Sequence, residues 1–274
     1  MVRVTQRTMF SFDIELHRQL GVKYEPLPNT TLNEKYSVLE TAEAPTGRYP
    51  QLVGFVIGIG GSAAVPDANN FVFNEHGPLD GALFEGIPWL TVPLTKEIPK
   101  EDQDKYRLKV IENINGEPYV NYYMKRLENI DLKKEFYVIR AASPEAGHGS
   151  PTLKPMDTQK STILRPVPKE RNLSYLNQYT PKYITKIAKI EFEITPEEQR
   201  NIQQALAIRG LDGRLITEIG LCSGIEIING DNNESILTQI AYHVGVNFDL
   251  ANALAEELPI LKGIEIGGLE PLME

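Results

Sequence analysis

The chain has 274 residues, of which 41 % are hydrophobic and 24 % charged, and its formal net charge at pH 7 is −9. This composition excludes wholesale disorder, the absence of an apolar run near 18 residues excludes a transmembrane helix, and the N-terminus lacks the apolar core of a secretory signal. The single cysteine, Cys222, excludes an intramolecular disulfide framework and a cysteine-only metal site, so we expect synthesis in a reducing cytoplasm.

The negative charge is concentrated at one end of the chain. Residues 195–274 contain four Lys or Arg against 13 Asp or Glu, so they alone carry −9, and residues 1–194 are neutral. Phosphate binding needs Lys and Arg, so the acidic C-terminal third argues against nucleic acid as a direct partner. Two interpretations remain, an ordinary solvated acidic surface and a surface that complements a basic neighbouring subunit.

The first 60 residues change from polar to strongly apolar. Phe10, Phe12, Ile14 and Leu16 alternate with other residues and predict a short strand, and the prolines that follow predict an extended connection. From Leu52 to Ile59 the chain is almost continuously apolar, which is typical of a strand buried on both faces.

A glycine cluster, Gly58-Ile59-Gly60-Gly61, ends that apolar run. It lacks the Lys-Ser/Thr ending of a P-loop and the spacing of a dinucleotide-binding site. No helix is predicted between Ala63 and Asn70, so no helix N-terminus would point at an anion. We therefore interpret the glycines as permitting a tight turn or a close backbone approach, and we expect no cofactor.

Short apolar pieces alternate with turn residues between 71 and 99. Pro88 and Pro93 predict irregular or edge strands, because proline cannot donate a ladder hydrogen bond. Trp89 is predicted to be a core or interface anchor.

A β-hairpin is the strongest local prediction and lies in Tyr106–Leu127. Asn115-Gly116 separates two β-prone runs, and a type I′ turn needs positive φ at both of its central residues. The resulting register places Ile111 opposite Val120 and Leu108 opposite Tyr123. Both faces then carry large apolar side chains, so we expect a second element or subunit to cover the hairpin, which serves as a scaffold.

Residues 141–182 contain six prolines and six Lys or Arg against three Asp or Glu. Structureless segments of this length are uncommon inside compact domains. Two interpretations remain, a flexible interdomain linker and an extended arm lying across a neighbouring protomer. We favour the arm, with Ile163-Leu164 and Leu173–Leu176 as its anchors and the prolines lowering its ordering cost.

The remaining segments have clear periodicity or capping signals. A capping box, Thr195-Pro196-Glu197-Glu198, starts a helix that ends near Ile208 before Gly210. The other predicted elements are strands at Phe136–Ile139, Tyr183–Ile194, Leu215–Cys222, Ile225–Ile228 and Ile264–Ile266, and helices at Ile236–Val244 and Leu250–Leu258.

Together these elements predict an α+β, β-rich fold with three segments. We expect an antiparallel sheet or sandwich in residues 1–140, the Pro-rich basic arm or linker in 141–182, and an acidic α+β part in 183–274. The two sheets can join, since Tyr183–Ile194 is able to pair with the hairpin.

The sequence offers no catalytic, cofactor-binding or metal-ligating residues. The histidines, His17, His76, His148 and His243, form no metal-binding frame, and Ser223 lacks the frame of a nucleophile elbow. Cys222 is interpreted as a small buried hydrophobe, and Asp231–Glu234 lacks the ligand spacing of a calcium loop. We expect a protein that is not an enzyme, with a hydrolase using His76 or His148 as the minor alternative.

Several patches resemble a known class of proteins. They are Arg48-Tyr49-Pro50, Gly58–Gly61, Asp80–Phe84, Tyr106–Lys109, Tyr119–Leu127 and Thr217–Gly224. In these patches the chain resembles virion structural proteins of tailed bacteriophages, of the tail or baseplate-wedge type of contractile-tailed phages. The resemblance implies β-rich domains, no cofactor, no catalytic residues and a fixed place in a multi-subunit assembly.

The sequence therefore leads to a structural component of the virion, most simply in the tail or baseplate. Its expected partners are other virion structural proteins, with self-association, and it has no direct nucleic-acid contact and no membrane span. The alternatives are a neck or head–tail connector component, and a receptor- or glycan-binding module of the same particle. The last predicts an exposed aromatic cluster, for which Tyr119, Tyr122 and Tyr123 are the candidates.

Overall fold

The computed structural model describes residues 5–64, 71–96, 98–127, 129–132, 137–140, 152–155, 182–228, 233–245 and 260–272. The helices in these ranges are α1 (Met9–Leu20), α2 (Leu32–Tyr36), α3 (Lys100–Gln103) and α4 (Pro196–Ile208), with a 3-10 turn at Leu94–Lys96. The strands are β1 (Thr5–Arg7), β2 (Gln51–Gly58), β3 (Ser62–Ala64), β4 (Phe71–Phe73), β5 (Gly86–Ile87), β6 (Leu90–Pro93), β7 (Tyr106–Ile114), β8 (Glu117–Arg126), β9 (Asn129–Leu132), β10 (Tyr137–Arg140), β11 (Thr152–Pro155), β12 (Lys182–Ile194), β13 (Glu218–Ile227), β14 (Glu234–Gly245) and β15 (Ile260–Leu272).

Antiparallel sheets dominate the part of the chain that is described, which confirms the β-rich α+β class. The largest sheet has eight strands in the order β1-β14-β13-β2-β8-β6, with β5 paired to β2 and β7 paired to β8. A second sheet has the order β11-β10-β12-β15 with β9 on β12, and β3 pairs with β4. Helices α1 and α2 pack against β14, and α4 packs against β6.

Contacts divide the chain into two compact units. One comprises residues 1–128 and 192–262 and holds the eight-stranded sheet; the other comprises 129–191 and 263–274. These units do not follow the linear division into 1–140, 141–182 and 183–274. Strands β13 and β14 of the acidic part join the first sheet, whereas β12 pairs with β9 and β10 and not with the hairpin.

The hairpin prediction is confirmed at its turn and in its pairing. Asn115 and Gly116 have φ of 54° and 89°, and Ile111 lies opposite Val120. Strand β8 pairs with β7 along one edge and with β2 and β6 along the other. Its residues from Val120 to Lys125 are all buried, so other parts of the chain cover both faces of this strand. The hairpin is therefore a central scaffold.

Several local predictions are also confirmed. Strand β2 is buried along Val53–Gly58, and Trp89 is fully buried with its indole N–H donating to the Phe55 carbonyl. The capping box at Thr195 and Glu198 starts α4. Strand β6 ends at Pro93 and lies at the end of the main sheet order, as expected for a strand containing proline.

The predicted strand at Phe10–Leu16 is wrong, because this segment is helix α1. The buried side chains are Phe10 and Ile14, which are four residues apart and so share one helical face, while Phe12 and Leu16 are exposed. Gly21, with φ of 65°, ends the helix in the left-handed conformation that glycine tolerates.

The predicted helix at Ile236–Val244 is also wrong, because the segment lies in β14. Leu237 has φ of 52°, and the pairing with β13 shifts register twice, so the apolar residues lose the alternation of a regular strand. Polar residues of this strand, including Thr238 and Gln239, are buried and hydrogen-bonded. A doubly buried, bulged strand thus imitates the spacing of an amphipathic helix.

The strands predicted at Leu215–Cys222 and Ile225–Ile228 form a single strand, β13, whose pairing shifts after Cys222. Ile264–Ile266 lies in the longer strand β15. The predicted helix at 250–258 lies outside the described residues. Of the 141–182 segment only 152–155 and 182 are described, so the arm stays a prediction. No helix in the described ranges is long and apolar enough to cross a membrane.

Candidate functional site

Two histidines that are far apart in the sequence meet at one end of the main sheet. His76 comes from the loop between β4 and β5, and His243 comes from β14. Their rings stack with centroids 3.9 Å apart, and the other face of His76 stacks on Phe84 at 4.0 Å. We call His76, His243, Asp80 and Glu218 the histidine–carboxylate cluster.

Both ring nitrogens of His76 face carboxylates. Its Nδ1 lies 3.2 Å from Asp80 Oδ2, and its Nε2 lies 2.9 Å from Glu218 Oε2. Only a protonated imidazole can donate at both positions, so the geometry fits a cation held between two anions. A general base needs a nitrogen that can accept a proton from a substrate, and neither nitrogen of His76 is available for this.

Glu218 is the hub of the cluster and is almost completely buried. Burial by itself would raise the pKa of its carboxyl group. The hydrogen bonds from His76 and from the backbone amides of Phe84, Glu85 and Gly60 nevertheless hold that pKa below its usual value. The carboxylate therefore stays charged inside the protein.

The glycine cluster explains how the backbone reaches this carboxylate. A Cβ on Gly60 would lie 2.7 Å from Phe84 Cβ and 2.8 Å from Glu218 Oε1, which real Cβ atoms do not tolerate. Gly60 donates its N–H to Glu218, and Gly61 donates to the Thr217 hydroxyl at 3.0 Å. The interpretation of a close backbone approach is confirmed, and the anion that meets these amides is a side chain of the protein itself.

His243 is buried and neutral. Its Nε2 lies 2.8 Å from the Asp80 carbonyl, and burial together with the neighbouring His76 lowers its pKa from 6.5 to about 4. Its Nδ1 has no hydrogen-bond partner among the described residues. His243 therefore lies in a strand and not in the predicted helix at Ile236–Val244, and it packs the loop of residues 76–85 against β14.

Chemically, the cluster ties together one loop, the glycine segment and two neighbouring strands. Its charges are satisfied internally, and the His76 side chain is 8 % exposed and that of Glu218 only 1 %. We interpret the cluster as a buried ionic lock. Sequence reasoning missed it, because its two parts, residues 76–80 and residues 218–243, lie 138 or more residues apart and carry no shared local motif.

The other residues considered from the sequence do not join this cluster. His17 lies on α1, edge-on to Tyr24. Cys222 is fully buried, and burial raises the pKa of its thiol, which confirms the buried hydrophobe. Ser223 is buried in β13. His148 and Asp231 lie outside the described residues, and within the described ranges no group of three or more His, Cys, Asp or Glu could hold a metal ion.

Tyr119, Tyr122 and Tyr123 do not form the exposed aromatic cluster that the glycan-binding alternative predicts. Tyr122 and Tyr123 are buried, because β8 is central in its sheet and covered on both faces. Tyr123 stacks on Tyr36, with ring centroids 4.2 Å apart. Tyr119 is half-buried, so the three rings offer no common surface.

One side of helix α1 carries a stripe of exposed apolar side chains. Met9, Phe12, Leu16 and Leu20 follow one another at intervals of three and four residues, so they share one side of the helix. Phe12 and Leu16 are each 55 % exposed and Leu20 is 73 % exposed. Phe10 and Ile14, on another side of the helix, already anchor α1 to its own sheet. We call these four residues the α1 stripe.

The fold and these sites define a β-rich α+β protein with a large antiparallel sheet, an internal ionic lock and an apolar helix stripe facing solvent. The chain belongs to DUF7208, a family of unknown function whose model matches residues 1–274. A comparison with curated proteins and one with solved structures each found no significant match.

Proposed function

We propose that the protein is a non-enzymatic structural component of a bacteriophage particle, positioned in the tail or baseplate, where it acts through subunit–subunit contacts. The observation that carries this proposal is the α1 stripe. Apolar patches rimmed by polar residues on soluble proteins commonly mark sites where another protein binds. The sequence patches that resemble tail and baseplate-wedge proteins indicate that the partners are other structural proteins of the virion.

The α1 stripe has the composition of a contact surface. Its apolar residues are flanked on the same helix by Glu15 and Gln19, both exposed, which matches an apolar centre with a polar rim. Fully burying a Leu or Phe side chain is worth about 1.5–3 kcal/mol. Covering Phe12, Leu16 and Leu20 with a neighbouring subunit would thus contribute substantially to association.

The non-enzymatic part of the proposal is supported by the histidine–carboxylate cluster. In this cluster the donors and acceptors bond mainly to each other and to the backbone. A hydrolase using His76 would need one ring nitrogen directed to a substrate. The geometry instead favours a structural role.

The test is to purify tailed particles whose genome carries this gene. The chain should be found in them by peptide mass spectrometry, in fixed proportion to the other structural proteins. Gold-labelled antibody should mark the tail or baseplate in electron micrographs. Label at the head–tail junction would move the protein to the neck, and absence of the chain from washed particles would contradict the proposal.

A variant pair tests the α1 stripe within the same system. Leu16→Glu should lower incorporation into particles at least about tenfold, because it places a charge in the centre of the contact. Gln19→Glu adds the same charge at the polar rim of the contact, where it stays solvated, and should be incorporated normally. Thermal unfolding of both isolated proteins controls for folding, and equal incorporation would contradict the role of the stripe.

A further inference from the structure

A second feature lies at the opposite end of the central strands from the histidine–carboxylate cluster. There the first residues of β2, the last residues of β8 and the last residues of β13 surround a half-open cavity of about 460 Å³. Three arginines line it: Arg18 from α1, Arg48 from the loop before β2, and Arg126 from the end of β8. We call this cavity the arginine pocket.

Glu226 in β13 organises the arginines. Arg48 donates to its backbone carbonyl at 2.9 Å, and Arg126 Nε lies 3.2 Å from its carboxylate. The same carboxylate oxygen also accepts from Arg107 at 2.8 Å, and the Arg107 side chain is only 1 % exposed. Because the single acidic group of the lining already neutralises a buried arginine, the pocket keeps an excess of positive charge.

The guanidinium groups retain donors for a further anion. Each guanidinium has five N–H donors in a planar fork. Arg48 donates one of them to the neutral backbone carbonyl of Glu226, and this contact does not neutralise its charge. Arg18 has no carboxylate within 4 Å among the described residues and lies in the last turn of α1. An arginine-rich pocket is unexpected on a chain with a net charge of −9.

From this geometry we propose that the arginine pocket binds the carboxylate side chains of an acidic peptide segment presented by a neighbouring subunit. The proposal rests on the proposed function for the source of that segment. A guanidinium group can donate two parallel hydrogen bonds to one carboxylate. The volume of the arginine pocket lies within the range that is usual for ligand-binding sites. Two or three acidic side chains fit the charge and size of the pocket.

A carboxylate fits better than a phosphate for two reasons. The helix that reaches the pocket does so with its C-terminal turn, so the pocket lacks the helix N-terminus that often holds phosphate groups. Glu226 also stands in the wall, and its charge opposes a phosphate, which concentrates two negative charges at one point, more strongly than carboxylates that are spread along a peptide. Residues 195–274, which carry −9, make a second copy of this chain one source of such a segment.

The test uses the full chain and a fluorescein-labelled hexaglutamate peptide, followed by fluorescence anisotropy. We expect saturable binding that weakens as salt is raised. Arg18→Gln and Arg48→Gln, both at exposed positions, should each weaken binding about tenfold, and Arg126→Gln should do the same if the variant remains folded by circular dichroism. Arg214→Gln, an exposed arginine in the loop before β13, should bind like the unchanged protein.

Competition and light scattering complete the test. No binding of hexaglutamate, equal binding by the Arg18 and Arg48 variants, or stronger competition by pyrophosphate than by a free glutamate peptide would each overturn the proposal. Self-association that is lost in the Arg48→Gln variant would identify a second copy as the source. Peptide binding is measured without particles, so its failure is distinguishable from absence of the chain in particles.

Discussion

Glu218 shows how a single side chain can hold distant parts of this protein together. Its carboxylate accepts from His76 and from three backbone amides, two of them in the loop that also carries His76. Breaking a buried ion pair by removing one partner is much more costly than losing an exposed one, because the remaining charge is left without compensation. The residue therefore has a structural importance that its position in the sequence does not reveal.

Substituting Glu218 should destabilise the protein strongly. Glu218→Ala leaves His76 and the amides of Phe84 and Glu85 without their acceptor, and we expect a loss of about 3–5 kcal/mol in the free energy of unfolding. Glu197→Ala, an exposed glutamate in the first turn of α4, should cost less than about 1 kcal/mol. Urea denaturation of both variants measures the difference, and similar losses would contradict the ionic lock.

His243 makes stability depend on pH. Its pKa is about 4 in the folded protein and 6.5 in its ordinary state, so between these values the unfolded chain binds a proton that the folded chain does not. The free energy of unfolding should therefore fall as pH is lowered from 6.5 to 4, by about 3 kcal/mol at the lower end. The depressed pKa of Glu218 adds a further loss as that carboxylate is protonated.

His243→Phe keeps an aromatic ring against His76 but removes the titrating group. The variant should lose about 1 kcal/mol at pH 7 with its hydrogen bond to Asp80, yet its stability should vary less with pH between 6.5 and 4. Urea denaturation at several pH values gives both curves. Glu234, whose pKa burial raises, acts in the opposite direction in both proteins and cancels in the comparison. Parallel curves would contradict the assignment.

At the scale of elements, the glycine segment after β2 is a close contact rather than a flexible link. Gly60→Ala should cost about 1–3 kcal/mol, since its Cβ would meet Phe84 Cβ, Glu218 and the Glu85 amide within 2.9 Å. Gly77→Ala is the matched control, because the nearest atom to its Cβ is Asp80 Oδ2 at 4.0 Å. Thermal unfolding of the pair tests this, and equal melting temperatures would refute the close contact.

Elements with local signals were predictable from the sequence, and elements set by tertiary contacts were not. Asn115-Gly116 and the capping box at Thr195 act through their own backbone, so they specify the hairpin and the start of α4 wherever those segments pack. Strand β2 could be predicted from the sequence because a strand that is buried on both faces is apolar throughout.

Strand β14 shows why the rest was not predictable. Its bulges arise from pairing with β13. At the start of β14, the Glu234 carboxylate accepts hydrogen bonds from the backbone amides of Leu108 and Lys109 in β7, where Leu108 has φ of 55°. No local sequence pattern indicates this contact. The carboxylate thus satisfies backbone amides at the point where the β7–β8 pairing is interrupted, although the two contacting segments lie 125 residues or more apart in the sequence. The histidine–carboxylate cluster has the same origin, since β13 and β14 bring Glu218 and His243 to a loop from the first third of the chain.

At the scale of the whole molecule, the main sheet is assembled from both ends of the chain. Strand β13 lies between β2 and β14, and β14 also pairs with β1. Neither end can therefore complete this sheet alone, since each would leave the long apolar strand β2 or β13 without its partner.

This arrangement predicts the behaviour of a split chain. Residues 1–160 and 161–274, expressed separately, should be insoluble or unfolded, whereas co-expressed pieces should co-purify through a tag on the first piece. Leu221→Asp in the second piece should abolish co-purification, because Leu221 is fully buried opposite Phe55 in the β2–β13 pairing. Ile228→Asp, at a position that is 76 % exposed just after β13, should leave co-purification intact.

A soluble 1–160 piece with native-like near-ultraviolet circular dichroism would show instead that the N-terminal part folds alone, as the linear division of the sequence expects. Co-purification that depends on Leu221 but not on Ile228 would establish that the pairing of β2 with β13 holds the two halves together.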